Sequence, residues 1–441
     1  MGTTTQQSSR TTRSRKAPGA KSAVVPTVVP TPAQKVAARN KATGSVQVKG
    51  VELKRLNGEI VTSNFAFRSL PDDRKNQVVY FGFDSDSNAA IFILDCASST
   101  VVKLLGEVGG KDEGCERMRY ISSDGTQVAR AFPDLEYTSA VLVYMGTERL
   151  LLSFGGRRVS PKEHANPVVS SFFLFDIDRR TWTEVLTEGG IPLPRVSGTG
   201  LWKDSRFYIF GGQVPGGQEE LELARSYSVL APVGKLVGGS WTITWVWIIL
   251  DKPNPDGVPS LGFMSGFAFC NGGKDVILLP GSLTRPKNDL VYYRDYTPVI
   301  YNFDNDSFTI LGSKGDFQKL PDEVVWYHAM PPPTKSLSAK LRPFKGLDLS
   351  GKPRTVSFLM RTGTDEPGEE GEKAMVSRLW AVSVAQDVQI QEINIHTHLN
   401  RLSIEHGVEF HGFATVKGTM YLIGESVVAG DDKDYVAKVL L

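Results

Sequence analysis

The sequence predicts an all-β fold built from a repeated antiparallel unit, and three observations predict it. From about residue 46 onward, short apolar runs rich in Val, Ile, Phe and Tyr alternate with Gly, Pro, Asn and Asp. Long stretches with helical periodicity are absent from the same region. Apolar residues make up 41% of the 441 residues, which is enough for a large core and excludes a wholly disordered chain.

An apolar run that ends in glycine recurs along the chain and defines the repeat. Its copies are 78–82 (VVYFG), 150–156 (LLLSFGG), 207–212 (FYIFGG), 276–281 (VILLPG), the degenerate 355–360 (TVSFLM) and 420–424 (MYLIG). A second strand that often closes on aspartate follows, as in 92–95, 173–176 and 301–304, and a hairpin leads to a third. Upstream of the runs, strands open with small residues such as Thr138-Ser139 and Ser197-Gly198.

Four strands per unit and six units, spaced about 55–80 residues apart, predict a six-bladed β-propeller with loop insertions. A seventh blade hidden in 105–135 is the main alternative. The chain stops just after a third strand, so the last blade lacks its outer strand. Residues 46–56 alternate apolar and polar side chains and are expected to supply it, which removes open sheet edges. The predicted propeller therefore spans 46–441.

Two of the units resemble a known family. Residues 194–198 (PRVSG), the run 207–212, Tyr227 and then Trp241 or Trp245 resemble a kelch repeat, and so do 151–156 with Phe173 and Trp182. The family pattern is an apolar run, a Gly-Gly pair, a spaced Tyr and a spaced Trp. The resemblance covers roughly residues 65–441 and implies a kelch-type propeller; it specifies a fold rather than a function.

The charge distribution separates a basic N-terminal segment from the remainder of the chain. The formal net charge is only +2, yet residues 1–51 contain nine Lys and Arg and no Asp or Glu. The first 45 residues are rich in Thr, Ser, Pro, Ala and Gln and lack sustained periodicity. We therefore interpret 1–45 as a disordered basic tail, which suits an anionic partner or nucleic acid.

Long insertions follow the glycine runs at 157–168, 213–225, 282–297, 361–378 and 425–434. In an antiparallel meander these loops leave the sheet at the same end as the connections between blades, so we expect one loop face that binds a protein partner. The residues predicted to take part are the charged side chains Arg157, Arg158, Glu219, Glu220, Arg285, Glu369, Glu370 and Asp432.

Sequence signals for catalysis or metal binding are weak. His396 and His398 would share one side of a strand, a geometry that metals use, but no third ligand is fixed by spacing. Cys96, Cys115 and Cys270 are far apart, and they provide neither a CxxC site nor a frame for galactose-oxidase-like copper chemistry. No catalytic, cofactor or metal residues are assigned.

The sequence therefore predicts a non-catalytic, monomeric interaction scaffold of kelch type. The alternatives are a metal-dependent or galactose-oxidase-like propeller enzyme, and an anion- or nucleic-acid-associated protein that acts through its tail. No apolar signal-peptide region follows the start, and the longest apolar stretch, 245–250, is far shorter than a membrane span. A cytoplasmic or nuclear location is expected, with an organelle transit peptide as the open alternative.

Overall fold

The structure is a computed structural model that describes residues 50–57, 68–83, 88–106, 116–136, 138–158, 167–216, 221–237, 240–258, 262–271, 275–281, 299–310, 313–315, 327–329, 356–364, 375–384, 388–393, 408–417, 419–426 and 434–440. Every regular element in these ranges is a β-strand, so the all-β prediction is confirmed there. The predicted basic tail, residues 1–45, lies outside them.

The first sheet is an antiparallel meander. After β1 (Gly50–Arg55), the chain forms β2 (Arg68–Asp72), β3 (Gln77–Phe83), β4 (Ala89–Asp95) and β5 (Thr100–Gly106), each paired with the next. The side chains of β4 are buried from Ala89 to Leu94, alternately on one face and on the other. A strand covered on both faces reads as a continuous apolar run, which explains the sequence AAIFIL.

The second sheet has the same plan. The strands here are β6 (Glu116–Ile121), β7 (Gln127–Val128), β8 (Leu135–Glu136), β9 (Ser139–Met145), β10 (Glu148–Phe154), β11 (Arg157–Arg158), β12 (Phe172–Asp176) and β13 (Thr181–Val185). The meander is β9-β10-β12-β13. Residues 116–136 add to neighbouring sheets through β6, β7 and β8 and form no four-stranded meander of their own.

The third sheet is the meander β15-β16-β19-β20. Its strands and the short ones around it are β14 (Thr187–Glu188), β15 (Thr199–Lys203), β16 (Arg206–Phe210), β17 (Gln213–Pro215), β18 (Leu221–Leu223), β19 (Ser226–Val237) and β20 (Ser240–Pro253). Strands β17 and β18 pair as a small hairpin between the second and third strands of the sheet.

Two further meanders follow. The fourth sheet has β21 (Gly262–Asn271), β22 (Asp275–Gly281), β23 (Val299–Asn302) and β24 (Ser307–Ile310). The fifth has β25 (Ser313–Gly315), β26 (Tyr327–Ala329), β27 (Val356–Thr364), β28 (Met375–Val384) and β29 (Val388–Ile393), with β26 to β29 as its meander. In it, 361–364 pairs with 375–378, so the predicted insertion 361–378 is partly an extension of these strands.

The last sheet joins the two ends of the chain. Its strands β30 (Val408–Val416), β31 (Thr419–Ser426) and β32 (Asp434–Leu440) form three strands of a meander, and β1 is the fourth. The pairing of β1 with β32 runs in register from Gly50 opposite Leu440 to Arg55 opposite Tyr435. The strand that opens the described chain is therefore the outer strand of the last sheet.

The inner strands of most neighbouring sheets contact one another in the described ranges. Strand β2 contacts β9, β9 contacts β15, β15 contacts β21, β21 contacts β26, β30 contacts the fifth sheet through β27, and β2 in turn contacts β30. The core lies between successive sheets: Phe92 faces the last sheet, while Ile91 and Phe173 share a cluster between the first and second. This arrangement is a propeller-like all-β fold.

The connections between sheets repeat one feature. The segment that follows an outer strand pairs in parallel with the outer strand of the next sheet, as β6 does with β13, β14 with β20 and β25 with β29. Asn57, just after β1, makes the same parallel bridge to Thr100 in β5. The connection across the chain ends thus resembles those made by β6, β14 and β25.

Candidate interaction face

The loops that follow the second strands lie beside the connections between sheets. In the second sheet, β11 pairs with β8, which places Arg157 opposite Glu136 and Arg158 opposite Leu135. In the third sheet, Gln213 and Val196 exchange both backbone hydrogen bonds, with N···O distances of 2.8 and 2.9 Å. We call this end of the sheets, formed by β8, β11, β17, β18 and the connection 193–198, the loop face.

Two of the predicted interaction residues are described, and both lie on the loop face. Arg157 is half-buried, and its Nη2 donates to Glu136 Oε2 at 2.9 Å. Arg158 is exposed, and its backbone N donates to the carbonyl of Pro167 at 3.0 Å. The side chain of Arg158 therefore projects from a segment whose backbone is held on both sides.

The other predicted residues fall on parts of the chain that the structure does not describe. Glu219, Glu220, Arg285, Glu369, Glu370 and Asp432 lie outside the described residues, and so do His396 and His398. Their involvement in binding remains a prediction from the sequence.

The Gly-Gly pairs end the second strands and start the loop-face hairpins. All four glycines, Gly155, Gly156, Gly211 and Gly212, have positive φ, which glycine adopts without steric cost. A Cβ on Gly155 would overlap the carbonyl oxygen of Arg195, and a Cβ on Gly212 would lie 2.6 Å from that of Val196. The repeated glycines therefore allow the connection 193–198 to pass close to both turns.

Arg195 lies where the loop face meets the two Gly-Gly turns, and sequence reasoning assigned it no role. Its side chain is fully buried; Nη1 donates to the Gly211 carbonyl at 3.0 Å, and Nη2 pairs with Asp251 Oδ1. Burial lowers the pKa of Arg195 below its ordinary value, although Asp251 opposes this shift. Its signal in the sequence was its place in the kelch-like segment 194–198.

Inner strands approach each other closely just below the loop face. Ser139 Oγ donates to the Gly198 carbonyl at 2.9 Å, and a Cβ on Gly198 would lie 2.6 Å from Ser139 Oγ. The small residues that open these strands are thus required by the spacing between β9 and β15.

The opposite end of the first and second sheets carries a buried ion pair between tight turns. Arg149 Nη1 donates to Asp72 Oδ2 at 2.9 Å, and Tyr144 Oη donates to Asp72 Oδ1 at 2.7 Å. Burial, followed by the hydrogen bond and charge of Asp72, raises the pKa of Tyr144. Since the Asp72 carboxylate is fully buried and already fully bonded, we assign this cluster a structural role.

A second polar cluster joins the third and fourth sheets. Asp306 accepts hydrogen bonds from the Tyr227 and Tyr301 hydroxyls and from Lys252 Nζ. Burial, reinforced by the bond to Asp306, raises the pKa of Tyr227 to about 12.

Burial also raises the pKa of the Cys96 thiol, to about 12, which makes that cysteine a poor nucleophile at neutral pH.

Exposed aliphatic side chains concentrate along the outer edge of the third sheet. Among the described residues nine large aliphatic side chains are exposed, and seven of them lie within 186–193 and 233–250. Leu186 is 81% exposed and Ile191 is 71% exposed. The same segment continues into 193–198, so this apolar strip adjoins the loop face.

Within the described ranges, no group of three or more His, Cys, Asp or Glu side chains is placed to hold a metal ion. No helix long and apolar enough to cross a membrane is found in that part of the chain either.

No family model matches the chain, and no curated protein matches it either. A solved structure titled "Structure of YjhT" is similar, with a TM-score of 0.46 and 12% sequence identity. The match covers 85% of this chain and 93% of that chain.

Proposed function

We propose that the chain is a six-bladed, kelch-type propeller that acts as a non-catalytic protein-interaction scaffold through its loop face. One observation carries the proposal. The second and third sheets each bear a short two-stranded element on the loop face, β8 with β11 and β17 with β18. Loops mounted on a packed β-scaffold are a common way to present a binding surface.

The blade number rests on the strand pairing. Six four-stranded meanders occur in the described ranges when β1 is counted with the last. Neighbouring meanders contact one another through their inner strands, except that β30 contacts the fifth sheet through β27. The kelch assignment rests on the Gly-Gly turns and on Trp182, Trp245 and Trp247, which are buried between sheets.

Charge reversal on the loop face tests the scaffold function. We expect Arg158→Glu to reduce recovery of a specific partner about fivefold in affinity purification of the full chain, because it reverses an exposed charge on the proposed surface. Arg55→Glu is the matched control, an exposed arginine on β1 at the outer edge of the last sheet. Cross-links from the partner should map to 155–158 and 211–225.

The scaffold proposal is overturned when both variants recover the partner equally and cross-links fall elsewhere.

Partners recovered only at low salt, and lost on deletion of residues 1–45, favour a second function in which the tail binds nucleic acid or another polyanion. The nine basic and no acidic residues in 1–51 support that candidate. A cytoplasmic or nuclear location is proposed with either function.

A further inference from the structure

We infer that Arg195 is a positioning residue that joins the loop hairpins of the second and third sheets into one preorganised docking unit. This inference rests on the proposed function for its biological meaning, but not for its structural test. The connection 193–198 lies between the two Gly-Gly turns, and each turn leads directly into a loop-face strand, β11 or β17.

The backbone of Arg195 holds the second sheet's turn. Its carbonyl oxygen accepts a hydrogen bond from Gly156 N at 2.8 Å, and the absence of a side chain at Gly155 permits this approach. Arg157 follows immediately and pairs with Glu136, so any shift of the connection displaces the base of the β8–β11 pair.

The side chain of Arg195 holds the third sheet's turn. Nη1 binds the Gly211 carbonyl, while Nη2 binds Asp251, which also accepts from Leu193 N at 2.7 Å and from Ser228 Oγ at 3.1 Å. A planar guanidinium reaches two acceptors in fixed directions, which a lysine ammonium on its flexible stem does less well. One residue thus contacts the turns at the base of both hairpins.

Residues with unusual backbone conformation lie around Arg195. Nine non-glycine residues in the described ranges have positive φ, and seven of them lie in hairpin turns. The other two are Ser197 and Asp251, with φ of 57° and 41°, one within the Arg195 connection and one bound to its guanidinium. Such conformations persist where surrounding contacts over-determine the backbone. Outside the hairpin turns, positive φ among the described non-glycine residues therefore occurs only at two residues beside Arg195.

Preorganisation has a functional consequence. A partner that binds both hairpins loses less free energy to loop ordering when the two are already fixed relative to each other. Loosening the Arg195 contacts should weaken the binding of such a partner, even though Arg195 is buried and touches no partner itself.

Hydrogen exchange on the full-length protein tests the inference, with Arg195→Met compared against Arg149→Met. Both substitutions remove a buried arginine that pairs with an aspartate between neighbouring elements, but Arg149 lies at the opposite end of the sheets. We expect Arg195→Met to speed amide exchange about tenfold or more in both hairpins, at 155–158 and 167–169 in the first and at 211–216 and 221–225 in the second. Arg149→Met should speed exchange around 72–77 and 144–149 and leave the loop hairpins protected.

Asp251→Asn is the milder second variant, since asparagine tolerates positive φ and keeps an acceptor for Arg195. It should give the same pattern with a smaller increase. The inference is overturned when only one hairpin or neither loses protection in these variants, or when Arg149→Met opens both hairpins equally. Failure to find any loop-face partner overturns the proposed function instead, since the exchange pattern does not depend on a partner.

Discussion

Asp72 shows how a single buried carboxylate joins two neighbouring sheets. Its oxygens accept from Arg149 and Tyr144, and Oδ1 also accepts from the backbone N of Arg74 and Lys75 at 3.1 Å. The carboxylate therefore fixes its own hairpin turn and ties it to the second sheet. A buried charge is tolerated here because its partners compensate for the lost hydration.

Neutralising Asp72 should therefore be costly. We expect Asp72→Asn to lower the free energy of unfolding in urea by about 3 kcal/mol, because it removes the buried counter-charge of Arg149 and leaves only the longer contact, 3.4 Å, with the part-exposed Asp178. Asp204→Asn is the matched control: Asp204 pairs with Lys203 at 2.8 Å in an exposed turn, and its loss should cost less than about 1 kcal/mol. Equal, small effects of the two substitutions would contradict the structural role of Asp72.

Asp306 makes stability depend on pH. Burial alone raises its pKa, but the hydrogen bonds from Lys252, Tyr227 and Tyr301 outweigh burial and hold the pKa of Asp306 below its ordinary value. A carboxylate whose folded pKa is lowered stabilises the protein above its unfolded pKa, about 3.9, and loses this contribution as the pH falls through the folded value.

Thermal unfolding of the protein and of Asp306→Asn across pH 2–7 measures this contribution. The variant should be less stable than the protein at pH 7. The difference should shrink below about pH 4, where Asp306 is protonated first in the unfolded chain and then, at lower pH, in the folded protein. A constant difference across the range would show that Asp306 contributes no pH dependence.

At the alkaline end, the raised pKa of Tyr227 predicts that the stabilising contribution of Tyr227 is lost between about pH 10 and about 12.

At the scale of the element, the Gly-Gly turns explain why the repeat ends as it does. The second strand of a sheet is buried on both faces, and its last residues must turn sharply so that the next connection can pass. Only glycine combines positive φ with the absence of a Cβ at this contact. The motif is therefore a packing requirement between neighbouring sheets.

Gly155→Ala should destabilise far more than Gly146→Ala. Both positions have positive φ, 69° and 64°, but only at Gly155 would the new Cβ collide with neighbouring backbone, whereas Gly146 has nothing within 4 Å. We expect losses of about 3 kcal/mol or more at Gly155 and about 1 kcal/mol at Gly146, from urea unfolding. Similar losses at both sites would show that conformation alone, without the close approach, sets the cost.

Alternation within β20 places two tryptophans in the core between sheets. Trp245 and Trp247 lie on the same side of β20 and are buried against Phe172 and Phe154 of the second sheet, with ring centroids 5.1 Å apart in both pairs. Period-two patterning is local, so the sequence carries it. The 14-residue length of β20 was not predicted, because pairing with β19 beyond the apolar run depends on a partner strand.

At the scale of the whole molecule, β1 completes the last sheet. Leu56 is buried, and Val51 and Leu53 pack against the same core as Val436 and Ala437. Asn57 then bridges to Thr100, as β6, β14 and β25 pair with the outer strands of their sheets. Without this segment β32 would be left as an open edge.

Deletion of residues 1–57 should therefore lower the free energy of unfolding by about 4 kcal/mol, through the lost burial of Val51, Leu53 and Leu56, and promote aggregation. Deletion of residues 1–44 is the control, and it should leave the melting temperature unchanged because it spares β1. Thermal unfolding followed by light scattering distinguishes the two. Equal melting temperatures for both deletions would mean that β1 contributes little to the last sheet.

The sequence by itself determined the strand content, the repeat, and the alternating pattern in 46–56, part of which is β1 (Gly50–Arg55). These features depend on periodicity and on turn residues, which are local along the chain. Only the tertiary structure decided that Arg195 meets Gly156, Gly211 and Asp251, or that Asp72 meets Arg149. These partners are separated by up to 77 residues. No local pattern selects one charged residue as the partner of another; the packing of neighbouring sheets brings them together.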